Sequence, residues 1–185
     1  MSSMLAEIAA EVARCTKCRL AAKRRNTVPG EGRDDARIMF VGEGPGEQED
    51  LQGRPFVGPA GQFLNELLQR AGLRREDVFI TNIVKCRPPQ NREPMSDEVQ
   101  ACNEYLVGQI AAINPRVICP LGSAATRVLL DAKAKISGLH GKPVRSGGIL
   151  YVPLYHPAAA IHKPDLRDSI IEDFKKLRAL IADTA

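Results

Sequence analysis

Apolar residues recur along this chain with two periods, one helical and one extended. Leu5, Ile8, Ala9 and Val12 share a helical face over residues 4–13, with Ser2 or Ser3 ahead of them as a cap. Ile38-Met39-Phe40-Val41 is continuously apolar and predicts a buried strand over 37–41. Helical spacing returns over 60–71 with Phe63, Leu64, Leu67, Leu68 and Ala71, and Gly72 stops that helix. Val78 to Val84 is a second strand-like run, interrupted by Asn82. An amide in such a strand needs partners, because burying it unpaired costs roughly 1–3 kcal/mol. Ser96, Asp97 and Glu98 open a helix to about 113, carrying Val99, Cys102, Leu106, Ile110 and Ile113 at helical spacing. A third strand over 116–120 precedes a helix through Leu130. Residues 143–155 read as a strand, a Ser146-Gly147-Gly148 turn and a further strand over 149–154. The last helix, 164–181, buries Leu166, Ile170, Ile171, Phe174, Leu177 and Ile181. Strand-helix alternation of this kind predicts an α/β fold, a parallel twisted sheet with helices on both faces.

The breakers between these elements mark a site. After the first strand come Gly42-Glu43-Gly44-Pro45-Gly46-Glu47, then an irregular stretch from Gln52 to Gly61 that is expected to expose Phe56. Gly42, Gly44 and Gly46 let the backbone bend sharply and let a ligand approach it closely, as in other glycine-rich βα loops. Glu43 and Glu47 bring two carboxylates there. Ligand sites in parallel sheets lie off the carboxyl ends of the strands. The acid loop, Asn82 and His156 each sit at such an end, which gathers Glu43, Phe56, Asn82 and His156 around one crevice.

Composition narrows the setting. With 185 residues and 44% hydrophobic content, the chain supports one sizeable core. The expectation is a single domain over 1–185, with 1–36 holding the N-terminal helix and first cysteine pair and 37–185 forming the α/β core. There is neither an eighteen-residue apolar run nor a secretory leader, so a cytoplasmic location without membrane contact is expected. A net charge of +4 is modest for a dedicated polyanion binder. Its distribution is less even: Arg14, Lys17, Arg19, Lys23, Arg24 and Arg25 crowd the first cysteines, and Lys133, Lys135, Lys142 and Arg145 form a second group. Such groups are read either as solvated faces or as nucleic-acid contacts.

Five cysteines in such a chain point to metal ligation or buried thiols rather than disulfides. Cys15 and Cys18 are two residues apart in a C-x2-C pair, whereas fifteen residues separate Cys86 from Cys102. Together they can give four thiolates to zinc or to an iron-sulfur cluster, and the wide second pair favours the cluster. Cys102, on an apolar helical face, also reads as core. Cys119, inside a strand, reads as a small buried hydrophobe.

Gly42-Glu43-Gly44-Pro45-Gly46, Arg54-Pro55-Phe56-Val57-Gly58, Thr81-Asn82, His156-Pro157-Ala158 and the four spaced cysteines together resemble the family 4 uracil-DNA glycosylases, the iron-sulfur branch of their superfamily. The resemblance runs from about Cys15 to the last helix. It implies a three-layer α/β/α sandwich with a four-stranded parallel sheet and a structural 4Fe-4S cluster on Cys15, Cys18, Cys86 and Cys102. It also implies a monofunctional glycosylase that flips deoxyuridine out of single- or double-stranded DNA, releases uracil and leaves an abasic site. Phe56 would stack on the base, Asn82 read its edge, and His156 donate to its O2. Gly42 and Gly44 would shape the binding loop. Glu43, with Glu47 second, would steady the sugar cation or orient the attacking water.

The pattern departs from the best-studied branch of the superfamily in three places. Gly44 stands where that branch carries an aspartate, so its water-activating residue has no counterpart here. Ala158-Ala159-Ala160 and Ile161 stand where it has a wedging leucine. After Cys86 there is no basic histidine-bearing insertion of the kind that traps uracil-DNA covalently. His162 and Lys163 are candidate phosphate contacts, and His140 has no assigned role. The expected protein is a monomer with DNA as partner and a replication or repair protein as a further, unidentified one. The rival reading of the same cysteines and basic groups is a non-catalytic iron-sulfur DNA-binding module.

Overall fold

A computed structural model describes residues 3–184. The candidate cap Ser2 lies outside them, and Ser3 is itself the first residue of α1 (Ser3–Arg14). The elements that follow are β1 (Glu31–Gly32), β2 (Ile38–Gly42), α2 (Glu47–Gln52), α3 (Pro59–Arg70), β3 (Phe79–Asn82), α4 (Ser96–Ile113) and β4 (Val117–Pro120). Then come α5 (Ser123–Leu129), α6 (Ile136–Leu139), β5 (Val144–Ser146), β6 (Ile149–Tyr151), α7 (Ala159–His162) and α8 (Arg167–Ala182).

The sheet has six strands rather than four, in the order β1-β3-β2-β4-β6-β5. The inner four are parallel, and β1 and β5 add antiparallel edges. The extra strands follow from local geometry. β5 is the solvent-exposed first arm of a hairpin whose turn residues, Gly147 and Gly148, both have positive φ, 57° and 81°. β1 is too short to carry an alternating pattern, and its Gly32 lies so close to Val78 that a Cβ would meet the Val78 carbonyl oxygen at 1.9 Å.

Successive side chains of a strand point to opposite faces, so a strand covered on both faces is apolar throughout. Phe40 packs with Ile80, Cys119, α3 residues Leu64 and Leu67, and α8 residues Phe174 and Leu177. Met39 and Val41 face the other way, toward Leu5 of α1, Leu106 and Ile113 of α4, and Ala125 of α5. That arrangement makes three layers. A smaller cluster of Val12, Leu20, Val84, Cys86, Cys102 and Tyr105 joins α1 to α4 beside the sheet. No helix among the described residues is long and apolar enough to cross a membrane.

Two boundaries differ from the sequence expectation for reasons that matter to the site. β3 ends at Asn82, not Val84, because the chain turns there: Ile83 N donates to Gly42 O (2.9 Å) and Val84 N to Glu43 O (3.3 Å). The end of the acid loop, before the stretch read as irregular, is a short helix, α2. Its start is set by Glu49, whose carboxylate accepts from Gly46 N at 3.1 Å, and its end by Gly53 at φ 70°.

Candidate active site

Parallel pairing of β2 with β3 places Gly42 opposite Asn82, so the acid loop and the asparagine leave the sheet side by side. A cleft of about 910 Å³ opens above them, and Glu43, Gly44, Glu47, Phe56, Asn82 and His156 all line it. Gly42 lies beneath its floor. A Cβ there would stand 2.4 Å from Asn82 Oδ1 and 2.6 Å from Phe56 Cζ, so only glycine lets these two side chains approach.

Asn82 is 1% exposed, and its Oδ1 is the one buried side-chain nitrogen or oxygen among the described residues without a hydrogen-bond partner. An orphaned acceptor is costly unless a ligand completes it. Phe56 is not the exposed aromatic expected from its loop. It is 5% exposed, its ring lying against His156 with centroids 5.5 Å apart at 29°. Its backbone takes φ 49°, a conformation that costs a non-glycine residue on the order of 1–3 kcal/mol.

His156 is set for one protonation state. Ala158 N donates to its Nδ1 at 3.1 Å, so the neutral ring carries its proton on Nε2. Burial lowers its pKa to about 4, against a smaller opposing influence from Glu49. At neutral pH it is a hydrogen-bond donor and not an imidazolium. Burial raises the Glu43 carboxyl, Glu93 adds to that and Arg127 opposes it. Glu43 is half-buried at the end of β2, whereas Glu47 is exposed at the start of α2. His162 and the 52%-exposed Ile161 stand on the cleft rim. His140 lies outside the lining; its Nδ1 pairs with Asp173 Oδ2 at 2.6 Å, and its ring packs on Tyr155.

Cys15, Cys18, Cys86 and Cys102 line a single cavity with Arg24, Lys85 and Tyr105. The turn just after α1 delivers the first pair, the turn after β3 delivers Cys86, and α4 delivers Cys102. Arg24 Nη1 donates to Cys15 O at 2.6 Å and to Cys86 Sγ at 3.3 Å. Burial raises the Cys86 thiol and pushes that of Cys102 up to about 11. As placed, no three ligating side chains among the described residues converge closely enough to hold a single metal ion. Part of the basic group around this cavity is engaged internally: Lys17 pairs with Glu104 and Arg19 with Asp97.

Sequence reasoning missed Lys85, which is 1% exposed. Its Nζ donates to Thr81 Oγ1 (2.6 Å), Asn82 O (2.8 Å) and Gln109 Oε1 (2.8 Å), while Gln109 Nε2 donates to Pro29 O (2.6 Å). Burial lowers its pKa to about 7. A lysine after a strand ordinarily reads as surface, so only its partners reveal it as the link between the cysteine cavity and the end of β3.

The family model described as the Uracil DNA glycosylase superfamily matches residues 29–178. A type-4 uracil-DNA glycosylase of Saccharolobus solfataricus is 47% identical over 184 residues, covering 95% of this chain and 85% of that protein. One of Thermotoga maritima is 48% identical over 182 residues, covering 96% and 95%. A type-5 uracil-DNA glycosylase of Pyrobaculum aerophilum is 34% identical over 148 residues, covering 71% and 65%. The matched span takes in every cleft-lining residue named above, and the chain belongs to the uracil-DNA glycosylase superfamily, on its type-4 branch.

Proposed function

We propose that the cleft holds a deoxyuridine flipped out of DNA and that the protein hydrolyses its N-glycosidic bond, as a DNA-repair glycosylase. The observation that carries this reading is the unpartnered Oδ1 of Asn82, buried beside the Phe56 ring and a neutral, Nε2-protonated His156. Uracil N3–H meets that acceptor and uracil O4 takes the Asn82 amide hydrogens. Cytosine presents an acceptor and a donor in the reverse places, so it leaves the amide mismatched. Phe56 stacks on the base, worth about 1–3 kcal/mol by analogy with other base-aromatic contacts.

As the bond from C1′ to N1 breaks, negative charge builds on the base and positive charge on the sugar. His156 Nε2–H donates to uracil O2 as that charge develops, and main-chain amides of the acid loop add to it. Water attacks C1′, its hydroxyl remaining on the sugar and its proton passing to the departing base. Glu43 steadies the cation or orients that water, with Glu47 as the second candidate.

The four thiols are the donor set of a 4Fe-4S cluster. All four line one cavity, and a 4Fe-4S cluster takes four cysteine thiolates. When bound, the cluster supplies cross-links between α1, the turn after β3 and α4. The chain acts as one catalytic domain, a cytoplasmic monomer with DNA as its partner.

Incubating iron-loaded protein with a uracil-containing oligonucleotide and then treating it with alkali tests this. Strand cleavage at uracil and not at cytosine is expected. Intact strands would leave the non-catalytic DNA-binding module as the better account.

A further inference from the structure

The loop that carries Phe56 is held by two charged side chains that take opposite halves of its backbone. On one side the Glu49 carboxylate accepts from Val57 N (2.9 Å) and Gly58 N (2.8 Å) through Oε1, while Oε2 accepts from Gly46 N (3.1 Å). On the other, Arg75 donates from Nη1 to Phe56 O (2.9 Å) and Asn65 Oδ1 (2.9 Å), and from Nη2 to Pro55 O (2.5 Å). Glu31 aligns the guanidinium, accepting from Arg75 Nη2 at 2.9 Å and from Nε at 3.2 Å, and is itself gripped by Arg54 Nε at 2.9 Å. Gly61 leaves room beneath, since a Cβ there would lie 1.9 Å from Phe56 O.

Residues 55–58 form no regular element, so their backbone groups have no ladder to satisfy them. The left-handed conformation of Phe56 is a strained state, and such states persist where the surroundings over-determine them. Glu49 takes the donors, Arg75 takes the acceptors, and the ring between them lies beside His156 in the cleft lining, the two planes 29° apart.

We infer that Glu49 and Arg75 are positioning residues for base recognition, acting through Phe56 by holding its ring in the stacking pose. The inference rests on the proposed role of Phe56 as the base platform. Lysine at 75 keeps a charge for Glu31 but cannot serve both carbonyls from one planar fork. Glutamine at 49 keeps one acceptor oxygen but replaces the other with a donor facing a backbone N–H.

The test is a double-mutant cycle with two probes, single-turnover excision of uracil and inhibition by free uracil. Misplacing a recognition group by about 1 Å costs up to roughly 100-fold, so Arg75→Lys and Glu49→Gln are each expected to slow excision at least tenfold. Each also weakens uracil inhibition to a similar degree, while affinity for DNA bearing a tetrahydrofuran abasic analogue stays within about twofold. In a Phe56→Ala background the loss caused by Arg75→Lys disappears and that caused by Glu49→Gln shrinks at least severalfold, the remainder being its hold on Gly46 N. Wild-type excision by Phe56→Ala itself would remove the platform reading. A slow Phe56→Ala enzyme beside wild-type rates for Arg75→Lys and Glu49→Gln would overturn the clamp and leave the platform standing. Full, additive losses in the Phe56→Ala background would overturn it as well, by showing that the pair acts elsewhere. Should Arg75→Lys fail to fold, the Glu49→Gln half of the cycle decides in the same way.

Discussion

His156 shows how one side chain is committed to one job. Its Nδ1 is occupied by Ala158 N and its pKa is lowered to about 4 by burial, so the proton on Nε2 is the one it offers. Removing one such donor from a developing oxyanion costs on the order of 100- to 1000-fold, and His156→Ala is expected to lose that much in kcat on uracil DNA. Acid also acts through this residue on stability. Its unfolded pKa is 6.5 and its folded value about 4, so the unfolded chain binds the extra proton between them. Stability is complete above about pH 6.5 and falls toward pH 4, by roughly 2–3 kcal/mol. Denaturant melts at pH 7 and 4.5 check this, and His156→Ala should lose less between the two. In the proposed mechanism the Glu43 carboxylate is the group whose protonation stops the reaction. Burial lifts it above the ordinary 4.5, so an acidic limb in kcat above that pH is expected, as protonation removes the carboxylate. Glu43→Gln should be slow and lack that limb; an unchanged profile would pass the role to Glu47.

Elements matter here through their ends. β2 and β3 stop in register, which puts Gly42 against Asn82, and the missing side chain at Gly42 makes room for the side chains of Asn82 and Phe56. Gly42→Ala forces at least one of them aside. A loss of about 100-fold in excision with little change in melting temperature is expected, read by kinetics beside thermal denaturation. The end of β3 is also tied from behind. Lys85→Met would strip partners from Thr81, the Asn82 carbonyl and Gln109. Thr81 Oγ1 keeps its bond to Pro29 O and Gln109 Oε1 its contact with Thr81, so destabilisation of about 1–3 kcal/mol is expected in urea melts. Periodicity made α3, α4 and α8 legible, and the continuous apolar run of β2 was legible as a doubly covered strand. β1 and α2 were not, because the first has two residues and the second is specified by a carboxylate cap and a glycine stop rather than by an apolar face.

On the scale of the whole molecule, the cysteine cavity joins what the sheet does not. α1 meets the sheet through Leu5 and meets the cavity through Val12 and the first cysteine pair. Replacing Cys102 with serine is expected to abolish iron retention, measured by elemental analysis. It should also loosen the N-terminal segment, seen as early proteolysis before residue 30, while α3 and α8 keep their packing on Phe40. Zinc in place of iron in protein prepared without oxygen would refute the cluster.

The sequence by itself determined the α/β class, the strand-end location of the site and the residues that line it. Those follow from patterns repeated every two or three to four residues, and from glycine, asparagine and histidine standing where apolar runs stop. Only the tertiary structure decided that Phe56 is buried against His156, that Asn82 Oδ1 is left without a partner, that Lys85 is tied to the end of β3, and that Glu49 and Arg75 hold the backbone around Phe56. These outcomes depend on which backbone carbonyl or amide a distant side chain reaches. A charged residue's role is set by the partner it meets across the fold, and no local spacing encodes that meeting.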